Sequence, residues 1–157
     1  MALVISYFSI NKYQHLFKNK KTVLVGGCFD LFHYGHLQFL KKAKKQGSFL
    51  IIALESDEFI KKRKNRYPFH KQKQRGEILA SLLLVDLVIL LPFFTSDQEY
   101  FNLVKKIKPS IIAVTKGDPQ IEKKRKQAKE VLGRVVAVTD LVAGFSATKF
   151  LEMNKKI

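Results

Sequence analysis

Five short runs of Val, Ile and Leu constrain the fold of this chain more than any other feature: Thr22–Val25, Phe49–Leu54, Leu87–Leu91, Ser110–Thr115 and Arg134–Val138. Each is apolar on successive residues, not only on alternate ones. A strand apolar on both faces must be covered on both faces, which is the condition of a parallel sheet buried between helices. The stretches between the runs carry helical periodicity. In His36–Lys45, Leu37, Leu40 and Ala43 share one face and the lysines take the other. Gln72–Leu84, Tyr100–Ile107 and Ile121–Val131 also read as helices, with Phe101, Val104 and Ile107 at helical spacing before Pro109 stops the helix. A short helix from Ser146 ends the fold. Strand and helix in alternation predict right-handed crossovers, hence an α/β, doubly wound parallel sheet of five strands in a single domain. Residues 1–20 read as an N-terminal helical extension, with Ile10, Tyr13, Leu16 and Phe17 on a short amphipathic helix that packs and does no chemistry. Residues 21–157 form the domain proper, with no internal repeat or linker.

Such sheets bind ligands outside the carboxyl ends of their strands, near the point where strand order reverses. The segments after Val25, Leu54, Leu91 and Thr115 are therefore the places to search. A 46% apolar content over 157 residues is enough for a core and argues against disorder. Cys28 is the single cysteine, so no internal disulfide forms and a reducing, cytoplasmic setting is expected. The apolar start, Met1–Ser9, is short and lacks a basic leader, and no run nears the roughly 20 apolar residues of a membrane span; neither signal peptide nor membrane is expected. The net charge of +16 fits nucleic-acid binding, attraction of anionic small substrates, or lysines spread over solvated helix faces, and composition alone does not choose among them.

The first run leads into Gly26-Gly27-Cys28-Phe29-Asp30-Leu31-Phe32-His33-Tyr34-Gly35-His36, after which a helix begins. The two glycines let the backbone approach a ligand closely. The helix start presents unpaired N–H groups and the positive end of its dipole, a ready anion site. His33 and His36 stand at that mouth with Gly35 between them. Imidazoles there can donate hydrogen bonds to phosphate oxygens and can carry positive charge as a transition state develops negative charge. Metal binding by the two histidines lacks a third ligand nearby, so no metal site is expected. The dinucleotide fingerprint G-x-G-x-x-G is absent.

This segment resembles the signature of the cytidylyltransferase-like nucleotidyltransferases, relatives of the class I aminoacyl-tRNA synthetases, and the resemblance covers nearly the whole chain after residue 20. It implies a Rossmann-like sheet and in-line attack on a nucleotide α-phosphate, with no covalent enzyme intermediate, so Cys28 need not be reactive. It assigns Gly27, Cys28, Phe29, Asp30, His33, Gly35 and His36 to the nucleotide, with His33 and His36 also catalytic. Ser56-Asp57-Glu58 is similar to the family's turn after the second strand and equally suits a helix N-cap. Lys61–Arg66 lies where the family carries a basic phosphate-binding loop, and Lys64 is taken as its catalytic cation. Arg75 matches the family's arginine at the start of the next helix, which assigns it to the nucleotide, and it equally suits an ordinary helix-surface charge. Lys116-Gly117-Asp118 resembles the Lys-Gly-Gly-Asp of heptose-phosphate adenylyltransferases with one glycine missing, and the resemblance assigns all three to the nucleotide. Gly144-Phe145-Ser146-Ala147-Thr148-Lys149 looks like the family's Gly-x-Ser-Thr-Thr/Ser segment, with Ser146 and Thr148 left to hold phosphates and Ala147 in place of a hydroxyl.

Cytidylyltransferases acting on glycerol 3-phosphate or phosphocholine usually place an arginine just before that segment, where this chain has Leu141-Val142-Ala143. Arg134–Val138 and the Gly-Cys-Phe-Asp wording are closer to the heptose 1-phosphate adenylyltransferase module, which an archaeal-type FAD synthetase also resembles. The resemblance thus implies transfer of AMP from ATP, favoured over CTP, to a phosphorylated small-molecule acceptor of the heptose 1-phosphate kind. Mg²⁺ is the expected cofactor, carried in by the triphosphate. A homodimer is compatible with this reading, and neither membrane nor nucleic acid is an expected partner. The competing class is a basic RNA-binding module of the same fold.

Overall fold

A computed structural model describes residues 1–140 and 145–155. Among the described residues six strands form one parallel sheet: β1 (Leu3–Ser6), β2 (Thr22–Gly27), β3 (Phe49–Leu54), β4 (Leu87–Leu90), β5 (Ile111–Thr115) and β6 (Arg134–Thr139). The sequence predicts five; the sixth is β1. Its four residues pair with β4 at the sheet edge, Leu3 to Leu87 through Ser6 to Leu90, so residues 1–20 supply a strand as well as a helix. The helices are α1 (Ile10–Tyr13), α2 (Tyr34–Lys44), α3 (Asp57–Lys64), α4 (Gln72–Ala80), α5 (Asp97–Ile107), α6 (Ile121–Glu130) and α7 (Ala147–Asn154). Among the described residues no helix is long and apolar enough to cross a membrane.

The strand order β1-β4-β3-β2-β5-β6 is doubly wound. Successive side chains of each strand leave opposite faces, which splits the core in two. Ile51, Leu24, Leu87 and Ile112 meet α1 and α5 through Ile10, Val104 and Ile107. Val23, Val25, Leu50, Ile52 and Val88 meet α2 and α4 through Leu40, Ala43 and Leu79. All six residues of β3 are buried, and each fully buried Leu or Ile contributes about 1.5–3 kcal/mol of transfer free energy.

The order reverses at β2. This strand stays paired with β3 over its whole length, Thr22 to Gly27, but with β5 only at Val23 and Leu24. Beyond Leu24 the two strands part at their carboxyl ends. A ligand crevice is expected at such a switch point, and a cleft of about 820 Å³ opens there.

Candidate active site

One wall of the cleft is the loop after β2. Phe29 and Leu31 sit in the left-handed region at φ 46° and 52°. Neither residue type favours that region, and each such residue costs about 1–3 kcal/mol unless its surroundings impose it. Asp30, between them, supplies the restraint. Its carboxylate, 1% exposed, accepts hydrogen bonds from Arg66 Nη1 at 2.6 Å and from the backbone N–H groups of Phe69 and His70 at 3.0 and 3.1 Å. Burial opposes ionisation, yet the arginine and the two N–H groups outweigh it and hold the carboxyl below the usual range. The loop after β2 is thereby clasped to the segment before α4.

His33 is the N-cap of α2. Its Nδ1 accepts the His36 backbone N–H at 3.4 Å, while the His33 backbone N–H donates to His36 Nδ1 at 3.3 Å, a capping box made from two imidazoles. The rings stack with centroids 3.7 Å apart and planes 19° from parallel. Because each Nδ1 accepts, it carries no proton, and the single ring proton of each neutral imidazole is on Nε2. Burial, then the neighbouring ring, pushes His36 down to about 4; burial also lowers His33. Protonating either ring at Nδ1 would break its cap bond. The positive charge considered from sequence is therefore not what this geometry supplies: at neutral pH the pair is two oriented, uncharged N–H donors. They stand where the first N–H groups and the dipole of α2 favour an anion. A Cβ at Gly35 would lie 3.0 Å from His33 Cε1 and 3.3 Å from Phe145 Cβ, so only glycine leaves room for the stack and for Phe145 beside it.

The basic run is a helix end, not a loop. Ser56 Oγ caps α3 by accepting from the Phe59 N–H at 3.1 Å, Asp57 and Glu58 occupy the first turn, and Lys61, Lys62, Arg63 and Lys64 the last. This charge order matches the helix dipole, and it explains why the run is helical. Asn65, at φ 52°, ends the helix. Arg63, Lys64 and Arg66 line the cleft, and Lys123 and Lys124 of α6 face it from the other side.

Gly27, Cys28 and Phe29 line the cleft with the histidines. Burial, with help from Glu55, pushes the Cys28 thiol up to about 11, so it is not a nucleophile at neutral pH. Arg75 lies beneath the cleft wall. Fully buried, it donates to the Cys28 carbonyl, to the His70 carbonyl at 3.1 Å and to Asp57 Oδ1 at 2.7 Å, tying together the ends of β2, α3 and the segment before α4. It is not among the residues lining the cleft, so instead of meeting the nucleotide as the sequence suggests it positions the site, and it is no surface charge. Of the segment after β5, Asp118 lines the cleft, pairing with Lys124 at 2.6 Å. Lys116 and Gly117 do not: Lys116 faces solvent 3.7 Å from Asp140, and Gly117 turns the chain at φ 79°. Ser146 Oγ caps α7 by accepting from the Lys149 N–H at 2.9 Å, and Ser146 and Thr148 both line the cleft. Leu141–Ala143 and Gly144 lie outside the described residues.

Glu55 is a cleft residue that the sequence reading passed over. It follows β3 directly, and its Oε1 accepts from the Tyr100 hydroxyl at 2.8 Å. Burial pushes its carboxyl up to about 7, against the opposing pull of Tyr100, Lys124 and Arg75. The signal available was a charged residue placed directly after a fully apolar strand.

A family model for cytidylyltransferase-like proteins matches residues 24–154. The chain is similar to the bifunctional protein HldE of Nitratiruptor sp., 37% identical over an alignment of 140 residues that covers 86% of this chain and 28% of that protein. It is similar also to the FAD synthase of Pyrococcus abyssi, 41% identical over 92 residues, 59% of this chain and 60% of that one. The chain therefore spans less than a third of the length of its HldE relatives. Among solved structures, a lipopolysaccharide core biosynthesis protein from Thermoplasma volcanium superposes with a TM-score of 0.62 at 24% identity, over 79% of this chain and 98% of that one. The pantoate-β-alanine ligase of Francisella tularensis does so with 0.65 at 16% identity, over 98% and 77%. At those identities the structures speak to the fold alone. The family match extends from β2 through α7 and takes in the imidazole pair, the clasped loop and the basic cleft: the chain belongs to the cytidylyltransferase-like family of nucleotidyltransferases.

Proposed function

We propose that this protein transfers AMP from ATP to a phosphorylated small molecule of the sugar 1-phosphate kind, such as a heptose 1-phosphate, and releases pyrophosphate. The observation that carries the reading is the stacked His33–His36 pair, fixed as two neutral Nε2–H donors at the helix mouth in the cleft. An oxygen of the acceptor phosphate attacks the α-phosphorus of ATP in line. As that P–O bond forms, the bond from the α-phosphorus to the oxygen bridging the β-phosphate breaks, and its electron pair leaves with pyrophosphate. The acceptor phosphate is already ionised, so no base is needed, and because it attacks directly no enzyme group is nucleotidylated. Charge builds on the α-phosphate oxygens and the leaving bridge. Fixed N–H donors aimed at such charge are typically worth roughly 100- to 1,000-fold in rate each.

Lys64, Arg63 and Arg66 would neutralise the triphosphate from one side and Lys123 from the other, with the first turn of α7 at Ser146 and Thr148 receiving the β- and γ-phosphates. Mg²⁺ enters as part of the MgATP substrate, held by phosphate oxygens and water. The net charge of +16 steers these anions into the cleft. ATP is favoured over CTP because Leu141-Val142-Ala143 carries no arginine, and because the FAD synthase relatives make an adenine-containing product. That second likeness favours FMN as the rival acceptor. The test is pyrophosphate release and product mass with ATP or CTP against heptose 1-phosphate, glycerol 3-phosphate and FMN. An adenylylated sugar phosphate is expected; an exclusively cytidylylated product overturns the nucleotide assignment, and an FMN-only enzyme the acceptor.

A further inference from the structure

Among the polar side chains that line the cleft and take no part in nucleotidyl transfer is Glu55. The Glu55 backbone N–H donates to the Gly27 carbonyl at 3.0 Å, so the residue stands beside the end of β2 on the cleft floor. It is 7% exposed, and its side chain reaches the cleft. Tyr100 satisfies Oε1. Oε2 is buried and finds no partner among the described residues. A buried carboxylate oxygen left unpaired is costly, and such groups persist where a ligand supplies the missing bond. The reaction gives Glu55 no proton to remove. What remains is recognition.

The surroundings narrow the ligand group. Lys124 and Arg75 bear on Glu55, and Arg63 bears on its partner Tyr100. Asp118 and Asp57 pair with two of these cations, yet the chain itself already supplies Glu55 with positive charge, so no cationic ligand group is called for. Leu91 follows on from Leu54 across the sheet, and Leu103 and Val104 lie a turn along α5 from Tyr100; they give this part of the cleft an apolar wall unsuited to a further phosphate. A neutral hydroxyl suits both conditions. It donates to the ionised carboxylate and accepts from the protonated acid, so it satisfies Oε2 in either state.

We infer that Glu55, oriented by Tyr100, recognises the phosphorylated acceptor by taking a hydrogen bond from one of its neutral hydroxyls. The inference rests on the proposed nucleotidyl transfer and narrows its acceptors to polyol and sugar phosphates. Glu55 is in this account a specificity determinant and takes no part in bond breaking.

Calorimetric titration in the presence of a non-hydrolysable ATP analogue tests it, with heptose 1-phosphate, glycerol 3-phosphate, the hydroxyl-free propyl phosphate and the cationic ethanolamine phosphate as probes. The wild-type protein should bind a hydroxylated probe at least about 10-fold tighter than propyl phosphate, the size of one good hydrogen bond to a charged group. Glu55→Gln, which keeps an acceptor oxygen, should retain part of that preference. The paired change Glu55→Leu with Tyr100→Phe removes both polar groups together, so it should fold, melt no lower than wild type, bind the ATP analogue within about twofold, and lose the preference. A preference that survives in the double variant overturns the inference, as does tighter binding of ethanolamine phosphate or a wild type that ignores the hydroxyl. Those failures leave the nucleotidyltransferase reading standing. A wild type that does not bind the ATP analogue overturns that reading and this inference with it.

Discussion

Replacing Asp30 with asparagine should be among the most damaging isosteric changes available. The carboxylate is 1% exposed and takes three hydrogen bonds, one from the Arg66 guanidinium and two from the backbone at Phe69 and His70. Asparagine keeps a single oxygen and turns an NH₂ toward a donor. Removing one partner of a buried ion pair costs about 3–5 kcal/mol. Because Arg66 keeps some solvent contact, the lower part of that range, about 3 kcal/mol, is expected. For a chain of this size that lowers Tm by roughly 6–12 °C. The pH dependence separates this mechanism from general damage. The folded state depresses the Asp30 pKa, so its contribution is fully present above the unfolded value of 3.8 and is lost as pH falls through the lower folded value. The gap between wild type and Asp30→Asn should therefore be constant from pH 7 to pH 5 and narrow below about 4. Urea unfolding followed by circular dichroism at several pH values measures it. A loss under about 1 kcal/mol, or a gap that does not change in acid, would refute the clasp.

Gly35→Ala places a methyl group 3.0 Å from the His33 ring, so the imidazole stack must shift; turnover should fall at least about tenfold while Tm moves by no more than a few degrees, read by paired kinetic and melting assays. Glu55 acts in the opposite sense to Asp30. Its folded pKa, about 7 against 4.5, means the native state binds the extra proton, so its contribution to stability is fully present below about 4.5 and is lost as pH rises to about 7. Tyr100, Lys124, Arg75 and Cys28 bear on this group, and Glu55→Gln should flatten that stretch of the stability curve in chemical denaturation. Excess chelator should abolish pyrophosphate release, and added Mg²⁺ should restore it; full activity without divalent cation would contradict delivery as MgATP.

Much of this fold was legible because β2 to β6 are runs of only four to six residues rich in Val, Ile and Leu, too short for buried helices. β1 was not: Leu3–Ser6 is four residues long with only Ile5 buried, and its pairing with β4 is a contact across more than eighty residues that no local pattern reports. α3 was hidden because its basic last turn dominates a helix with one buried residue, Ile60, although its Ser56 cap was recognisable. In the site, the imidazoles and their glycine were readable from spacing and helix position. Their neutrality was not, since it follows from ring stacking and reciprocal cap bonds. Asp30 and Arg75 stood in recognisable motifs, but their partners lie 36–40 and up to 47 residues away, so their structural roles emerge only when the loops are brought together. Glu55 had no motif at all; its meaning depends on Tyr100, 45 residues along the chain.

The proposed role of His33 and His36 as neutral donors to charge developing at the α-phosphate is tested most directly by turnover and ATP affinity of His36→Ala measured side by side. The loss of the reciprocal cap bond costs about 1 kcal/mol of stability, which a folded chain tolerates, so the variant can be assayed. Turnover should fall roughly 100- to 1,000-fold while the Kd for a non-hydrolysable ATP analogue changes by less than about tenfold. A His36→Ala protein that turns over near the wild-type rate, or one whose entire loss is in nucleotide binding, contradicts the account.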